Sequence, residues 1–149
     1  MPDGREPIAV SIVDRIDSIP ADQWNACAGG DNPFVSHTFL AALEESGSVS
    51  PETGWAPQHL TIKDESGRLV GAVPMYLKNH SQGEYVFDWG WAAAYERAGG
   101  RYYPKLQAAV PFSPVTGPRL LARPGPDQSM IRAALAAGLV EVATRYGVS

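Results

Sequence analysis

Residues 59–78 read HLTIKDESGRLVGAVPMYLK, and this stretch decides the architecture. Leu60 and Ile62 alternate with His59, Thr61 and Lys63, the period of a strand with one face on a core and the other in water. Asp64-Glu65-Ser66-Gly67 is turn chemistry, and Arg68 to Lys78 returns as a second strand in which Val73, Met75 and Leu77 share a face. Pro74 has no N–H to give to a ladder, so it marks an edge, a bulge or a splay in the sheet. An antiparallel hairpin therefore stands at the centre of the expected fold.

Working outward towards the N-terminus, residues 8–13 (IAVSIV) form a short apolar strand. A helix begins near Ile19 with Pro20 in its first turn, and Gly29 to Pro33 interrupts it. A second helix is predicted from Phe34 to Ser46: Phe39, Leu40 and Leu43 share a face, Ser36 can cap it and Gly47 can stop it. Residues 48–54 form a polar loop. On the other side, Tyr85 to Asp88 is a further strand, Trp91 to Arg97 a short helix, and Ala108 to Ala122 an extended segment broken by prolines. Asp127 caps a last helix, where Ile131, Leu135, Leu139, Val142 and Tyr146 recur at helical spacing before Gly147. This order predicts an α+β domain, a mostly antiparallel central sheet flanked by helices.

Composition narrows the class. At 149 residues, 44% hydrophobic and 19% charged, the chain suits a single globular domain with a real core. No apolar run approaches the length of a membrane span. The first residues lack the layout of a secretory signal, which makes the cytoplasm the expected address. Cys27 is the single cysteine, so neither an internal disulfide nor a paired-thiolate zinc site is available; its expected place is a small buried one. His37, His59 and His80 show no metal-ligand spacing and suit surface or capping positions. Trp24 and Trp55 suit core or rim packing.

Charge is uneven. Residues 1–74 hold four Lys/Arg against eleven Asp/Glu, and residues 75–149 hold eight against five. The mildly positive second half suits an anionic ligand or a scatter of solvated charges equally well, and falls short of a DNA-binding surface.

The chemistry-bearing residues concentrate between Glu84 and Leu121, a stretch rich in aromatic, cationic and proline residues that suits a binding cleft. Asp88, between Phe87 and Trp89, would be partly desolvated, which raises a carboxyl towards the range of a general base; it would equally well close a strand. Glu96 and Tyr95 are the other acid/base candidates. Tyr102 and Tyr103, adjacent on an extended segment, would point to opposite sides. Arg101, Lys105, Arg119 and Arg123 could each hold a phosphate or carboxylate, or lie on an ordinary charged surface. Trp89, Trp91, Phe112 and Thr116 complete the candidate lining. Val110 to Pro118 alternates proline with apolar residues and suits the wall of a groove.

Four blocks, Asp88-Trp89, Ala94-Tyr95-Glu96-Arg97, GGRYYPKL over 99–106 and VPFSPVTGPRLL over 110–121, resemble the hallmark region of the FemAB-like, GNAT-related N-acyltransferases, a bacterial family of peptidoglycan biosynthesis or recognition proteins. The resemblance implies a GNAT-like sheet, incomplete at the C-terminus, with residues 1–149 forming the N-terminal half of a two-half architecture. It implies transfer of an acyl or aminoacyl group from acyl-coenzyme A or aminoacyl-tRNA to an amine of a small molecule or peptidoglycan precursor, with no metal and no permanently bound cofactor. Asp88 or Glu96 would accept the amine proton, Tyr95 or Tyr102 would orient the substrate, and Arg101, Lys105 and Arg119 would hold anionic groups.

The chain departs from that pattern in two places. Ala94 stands where the resemblance implies an acidic residue. The glycine-rich phosphate loop is missing: its positional equivalent, Arg123 to Gln128, leaves Arg123 and Gly125 as the donor-binding candidates. Pro124 and Pro126 carry no N–H, and Asp127 repels phosphate. The alternatives are a catalytically silent half that shapes an acceptor groove for a second GNAT-like half, and a domain that self-associates through an unfinished sheet edge.

Overall fold

The computed structural model describes residues 9–80 and 88–149. The central hairpin is longer than its sequence pattern suggests and bent in the middle. Trp55–Pro57 (β2) runs into His59–Lys63 (β3), and Leu69–Val73 (β4) runs into Met75–Lys78 (β5). β3 pairs with β4 and β2 with β5, both antiparallel, and the register carries across the bend: Leu60 faces Val73, and beyond the bend Pro57 faces Tyr76; it shifts only at the far end, between Ile62 and Lys63. Gln58 bridges the gap, its N–H donating to the Met75 carbonyl at 2.8 Å. Pro74 therefore marks a splay, because where it would donate to the ladder it has no proton.

The same seam divides the third strand. Lys105–Ala108 (β6) pairs with β5, and Leu121–Ala122 (β7) pairs with β4. Residues 109–120, the proline-rich segment, leave the ladder at the seam and return to it. Val10–Val13 (β1) completes one sheet in the order β1-β3-β4-β7, and the other has the order β2-β5-β6. The expected single sheet is thus two antiparallel sheets joined by continuous strands. The strand expected over Tyr85 to Asp88 falls mostly outside the described residues, and β2 lies where a loop was expected to end.

Helices cover both faces of the four-stranded sheet. Ala21–Ala28 (α1) and His37–Glu45 (α2) pack on one side with Trp24, Cys27, Leu40 and Ala41 against Leu69, Ala72 and Leu121. Gln128–Tyr146 (α4) packs on the other, with Ile131, Leu135 and Val142 against Leu60, Ile62, Val73 and Ala122. Each Leu, Ile and Val among them contributes about 1.5–3 kcal/mol by leaving water. This second layer overturns the expected half-wet strand: His59 and Thr61 are buried like Leu60 and Ile62, because α1 and α2 roof the face that alternation assigned to solvent.

Helix ends follow local chemistry. The Ser36 hydroxyl accepts from the Phe39 N–H at 3.3 Å, and Gly147 stops α4 at φ 67°. Pro20 occupies the N-cap of α1 rather than its first turn. Asp127 holds the N-cap of α4 without a side-chain cap, since its carboxylate accepts from Arg123. In α4 the buried stripe includes Gly138, while Tyr146 is 43% exposed. A Cβ on Gly138 would meet Leu60 Cδ2 at 3.0 Å, and one on Gly71 would meet Ile131 Cγ2 at 2.6 Å, so two glycines let α4 lie close on the sheet.

Candidate functional site

Trp89–Arg97 forms a helix (α3). Gly99, at φ 92°, turns the chain back after it. Gly100 has no Cβ where the Tyr95 ring lies, 2.3 Å from the position such an atom would take. The returning segment, Tyr102 to Lys105, is thereby laid against the start of α3, where Asp88 sits.

Asp88 is the hub of the cluster that results. Tyr102 Oη donates to Asp88 Oδ2 at 2.5 Å and Tyr103 Oη donates to Oδ1 at 2.7 Å. The Lys105 ammonium donates to Oδ2 as well, and to Tyr102 Oη at 3.3 Å. The two tyrosines therefore converge on one carboxylate instead of pointing apart, because residues 101–104 are outside any strand and the alternation rule does not bind them. Their rings meet edge-to-face at 4.9 Å, and Tyr95 meets Tyr102 at 6.0 Å.

Electrostatics follow from that geometry. Partial burial favours the neutral acid at Asp88, but the hydrogen bonds from Lys105, Tyr102 and Tyr103, with the lysine charge, outweigh it and hold the carboxyl well below the usual range. The expected upward shift is thus reversed: three donors stabilise the anion more than desolvation penalises it. Burial and the bond to Asp88 raise the Tyr102 phenol. For Lys105, burial opposes the charge and Asp88 more than restores it, leaving its value raised. Asp88 is a fixed anion that orients three donors and has little basicity to offer an incoming proton.

Beside this hub α3 carries exposed aromatic surface. Trp91 is 77% and Tyr95 47% exposed, and their spacing of four residues puts both on one face of the helix. Trp89 is 62% exposed. Glu96 and Arg101 are exposed near the helix end and in the turn after it.

The remaining candidates make their contacts elsewhere. Phe112 packs on Trp55 with ring centroids 5.2 Å apart, at φ 64°. The Thr116 carbonyl accepts from Asn32 Nδ2 at 3.2 Å. Arg119 donates to the carbonyls of Val115, Gly117 and Pro118, which commits its guanidinium to bracing its own loop. Arg123 lies between Asp127 at 3.1 Å and Asp64 at 3.6 Å, and Gly125 sits in the turn before α4 at φ 148°. An anion at this turn would have to displace two carboxylates.

One polar assembly escaped the sequence reading. His59 is fully buried, between Trp24 at 5.7 Å and Tyr76 at 5.3 Å. Its Nδ1 accepts from the Met75 N–H at 3.3 Å, and its Nε2 lies 2.8 Å from Glu44 Oε2. A backbone N–H can only donate, so Nε2 carries the ring proton and gives it to Glu44. Glu44 Oε1 also accepts from the Ile16 N–H at 2.9 Å. His59 stands opposite Pro74 and fills the seam where the ladder loses a donor. The signal was present in that proline, but the roof over His59 was not legible. Lys78 is buried too, its ammonium 3.6 Å above the Trp55 ring. Cys27 and the tryptophans Trp24 and Trp55 are in the core as expected, and burial pushes the Cys27 thiol up to about 11.

Among the described residues, no group of three or more His, Cys, Asp and Glu is arranged to hold a metal ion, and no helix is long and apolar enough to cross a membrane. The sequence model of one protein family, FemAB-like, described as peptidoglycan biosynthesis/recognition, matches residues 15–149. No curated protein matches the chain, and no solved structure does.

Proposed function

Because the chain belongs to the FemAB-like family of peptidoglycan biosynthesis and recognition, we propose that this domain is a recognition half, binding a peptidoglycan-type acceptor without performing the transfer. The observation that carries this reading is the carboxylate of Asp88, both of whose oxygens accept from the three donors Tyr102, Tyr103 and Lys105. A general base for an amine needs a pKa near the working pH, and Asp88, with both oxygens already accepting from Tyr102, Tyr103 and Lys105, is held well below that range. What the cluster offers is rigidity: four side chains locked together beside the exposed rings of Trp91 and Tyr95. Aromatic faces of this kind stack on the apolar face of a sugar ring, while the phenols and the lysine supply hydrogen bonds to its rim.

The second reading, an active N-acyltransferase, draws on the splayed seam. A GNAT-like sheet receives its acyl donor where two neighbouring central strands separate, and at Pro74 the ladder opens as the β3/β4 and β2/β5 pairs part into two sheets. Against it stand Arg123 held by two acids and the two prolines, Pro124 and Pro126, in the turn between it and α4.

Thermal shift separates the two readings, since a ligand that binds only the folded state raises Tm by mass action. A disaccharide-peptide fragment of peptidoglycan should raise Tm, and Trp91→Ala should abolish the rise while leaving the unliganded Tm unchanged. A rise with acyl-coenzyme A and none with the fragment would overturn the recognition reading in favour of the transferase.

A further inference from the structure

The Lys105 ammonium lies 4.8 Å from the centroid of the Tyr102 ring and 5.6 Å from that of Tyr103. Both distances fall within the about 6 Å over which a ring face attracts a cation. Its acceptors are the Asp88 carboxylate and the Tyr102 hydroxyl, and its side chain is largely buried. Two aromatic rings and one carboxylate are the surroundings that recognise an alkylammonium ion. Here the chain supplies that ion itself.

The walls of this cage are braced and its occupant is not. The Tyr102 and Tyr103 rings meet edge-to-face, and Tyr95 packs on Tyr102. Lys105 reaches in from half-buried β6 on a flexible four-carbon stem that can carry its head back to water. The register of β6 on β5 also sets Lys105 directly opposite Lys78, and like charges facing each other across a ladder repel. Lys78 is buried with its ammonium over Trp55, so Lys105 is the one of the pair placed to leave. Tyr95, half exposed, leads from the cage to the open face of α3 that it shares with Trp91.

We propose that Asp88, Tyr102 and Tyr103 form a binding site for a primary ammonium group of the ligand, and that Lys105 is its placeholder. In the unliganded protein the lysine keeps the carboxylate and the phenols aligned. A ligand ammonium takes its place, and the released Lys105 is then free to hydrogen-bond the rim of the bound molecule. The inference deepens the recognition reading and rests on it for the ligand's identity, while the cage itself can be tested with a simple amine.

The probe is n-propylammonium, with 1-propanol and sodium chloride at matched ionic strength as controls. Lys105→Ala empties the cage, so propylammonium should raise its Tm saturably with a Kd of about millimolar, the range open to so small a ligand, and the controls should not. Wild type should bind it at least about tenfold more weakly, because a cage filled by Lys105 for at least about nine-tenths of the time lowers apparent affinity by that fraction. Adding Asp88→Asn to Lys105→Ala should abolish binding. The wild-type measurement needs no variant to fold: high propylammonium should shift the Tyr102 and Tyr103 ring signals in 1H–13C NMR spectra. Unmoved ring signals, equal binding by wild type and Lys105→Ala, or binding that survives Asp88→Asn would overturn the proposal. The disaccharide-peptide fragment separates this inference from the recognition reading. Acetylating its side-chain amine should weaken binding to wild type at least about tenfold. An acetylated fragment that binds as well as the free amine would overturn the ammonium site and leave the recognition reading standing. A fragment that binds in neither form, with propylammonium still entering Lys105→Ala, would overturn the recognition reading and support the cage.

Discussion

Asp88→Asn removes one charge and keeps the shape, and the structure sets what that should do. The carboxylate receives three donors, of which one is an ammonium only 12% exposed. An asparagine there presents one oxygen and one NH2, so at least one of Tyr102, Tyr103 and Lys105 faces a donor, and Lys105 keeps its charge without a counter-ion. Hydrogen bonds to a charged group contribute about 1.5–3 kcal/mol each, but partial exposure and rotation of the phenols recover part of the loss. A net destabilisation of about 2 kcal/mol follows, equal to about 4–8 °C in Tm for a domain of this size. Urea denaturation measures it, and pH gives it a signature. The folded-state pKa of Asp88 is depressed, so its contribution is fully present above the unfolded carboxyl value of about 3.9 and is lost as pH falls through the folded value. The gap between wild type and Asp88→Asn should therefore be constant from pH 5 to 7 and shrink below about pH 4. The double change Asp88→Asn with Lys105→Met should recover part of the loss, since the stranded ammonium is gone. A variant as stable as wild type at pH 7, or a gap that does not change with acid, would refute the reading of Asp88 as an anion fixed by three donors.

Two further outcomes test the packing. Gly71→Ala puts a methyl 2.6 Å from Ile131 Cγ2, a branched atom close to the α4 backbone, so α4 must move and urea denaturation should show a loss of about 1–3 kcal/mol. Cys27, with its thiol pushed up to about 11 by burial, should resist a thiol-specific chromogenic reagent at pH 8 in the folded protein. It should react at least about a hundredfold faster in denaturing urea, where the thiol returns to about 8.5; rapid labelling of the native chain would contradict its burial.

Much of this was legible in the chain. The helices α1, α2 and α4 follow from caps, glycine stops and periodic apolar residues, and the turn between β3 and β4 from Asp64 to Gly67. All of these are local signals, set by the backbone demands of a few neighbouring residues. Pro74 announced a break in the ladder for the same reason. The gathering of Asp88, Tyr102 and Lys105 was anticipated as a group of candidates, because they fall within eighteen residues of one another.

What tertiary structure decided is everything that depends on what lies across a face. Alternation in β3 could not tell water from a second helical layer, so His59 and Thr61 were assigned to solvent and are buried beneath α1 and α2. Glu44 reaches His59 across fifteen residues of sequence, a meeting fixed only by how α2 crosses the sheet. The sign of the Asp88 shift likewise turned on competition: burial alone would raise it, and three donors delivered by the turn at Gly99 and Gly100 reverse it. Residue types state which interactions are possible, while the balance between desolvation and charge is set by distances that exist only once the chain has folded.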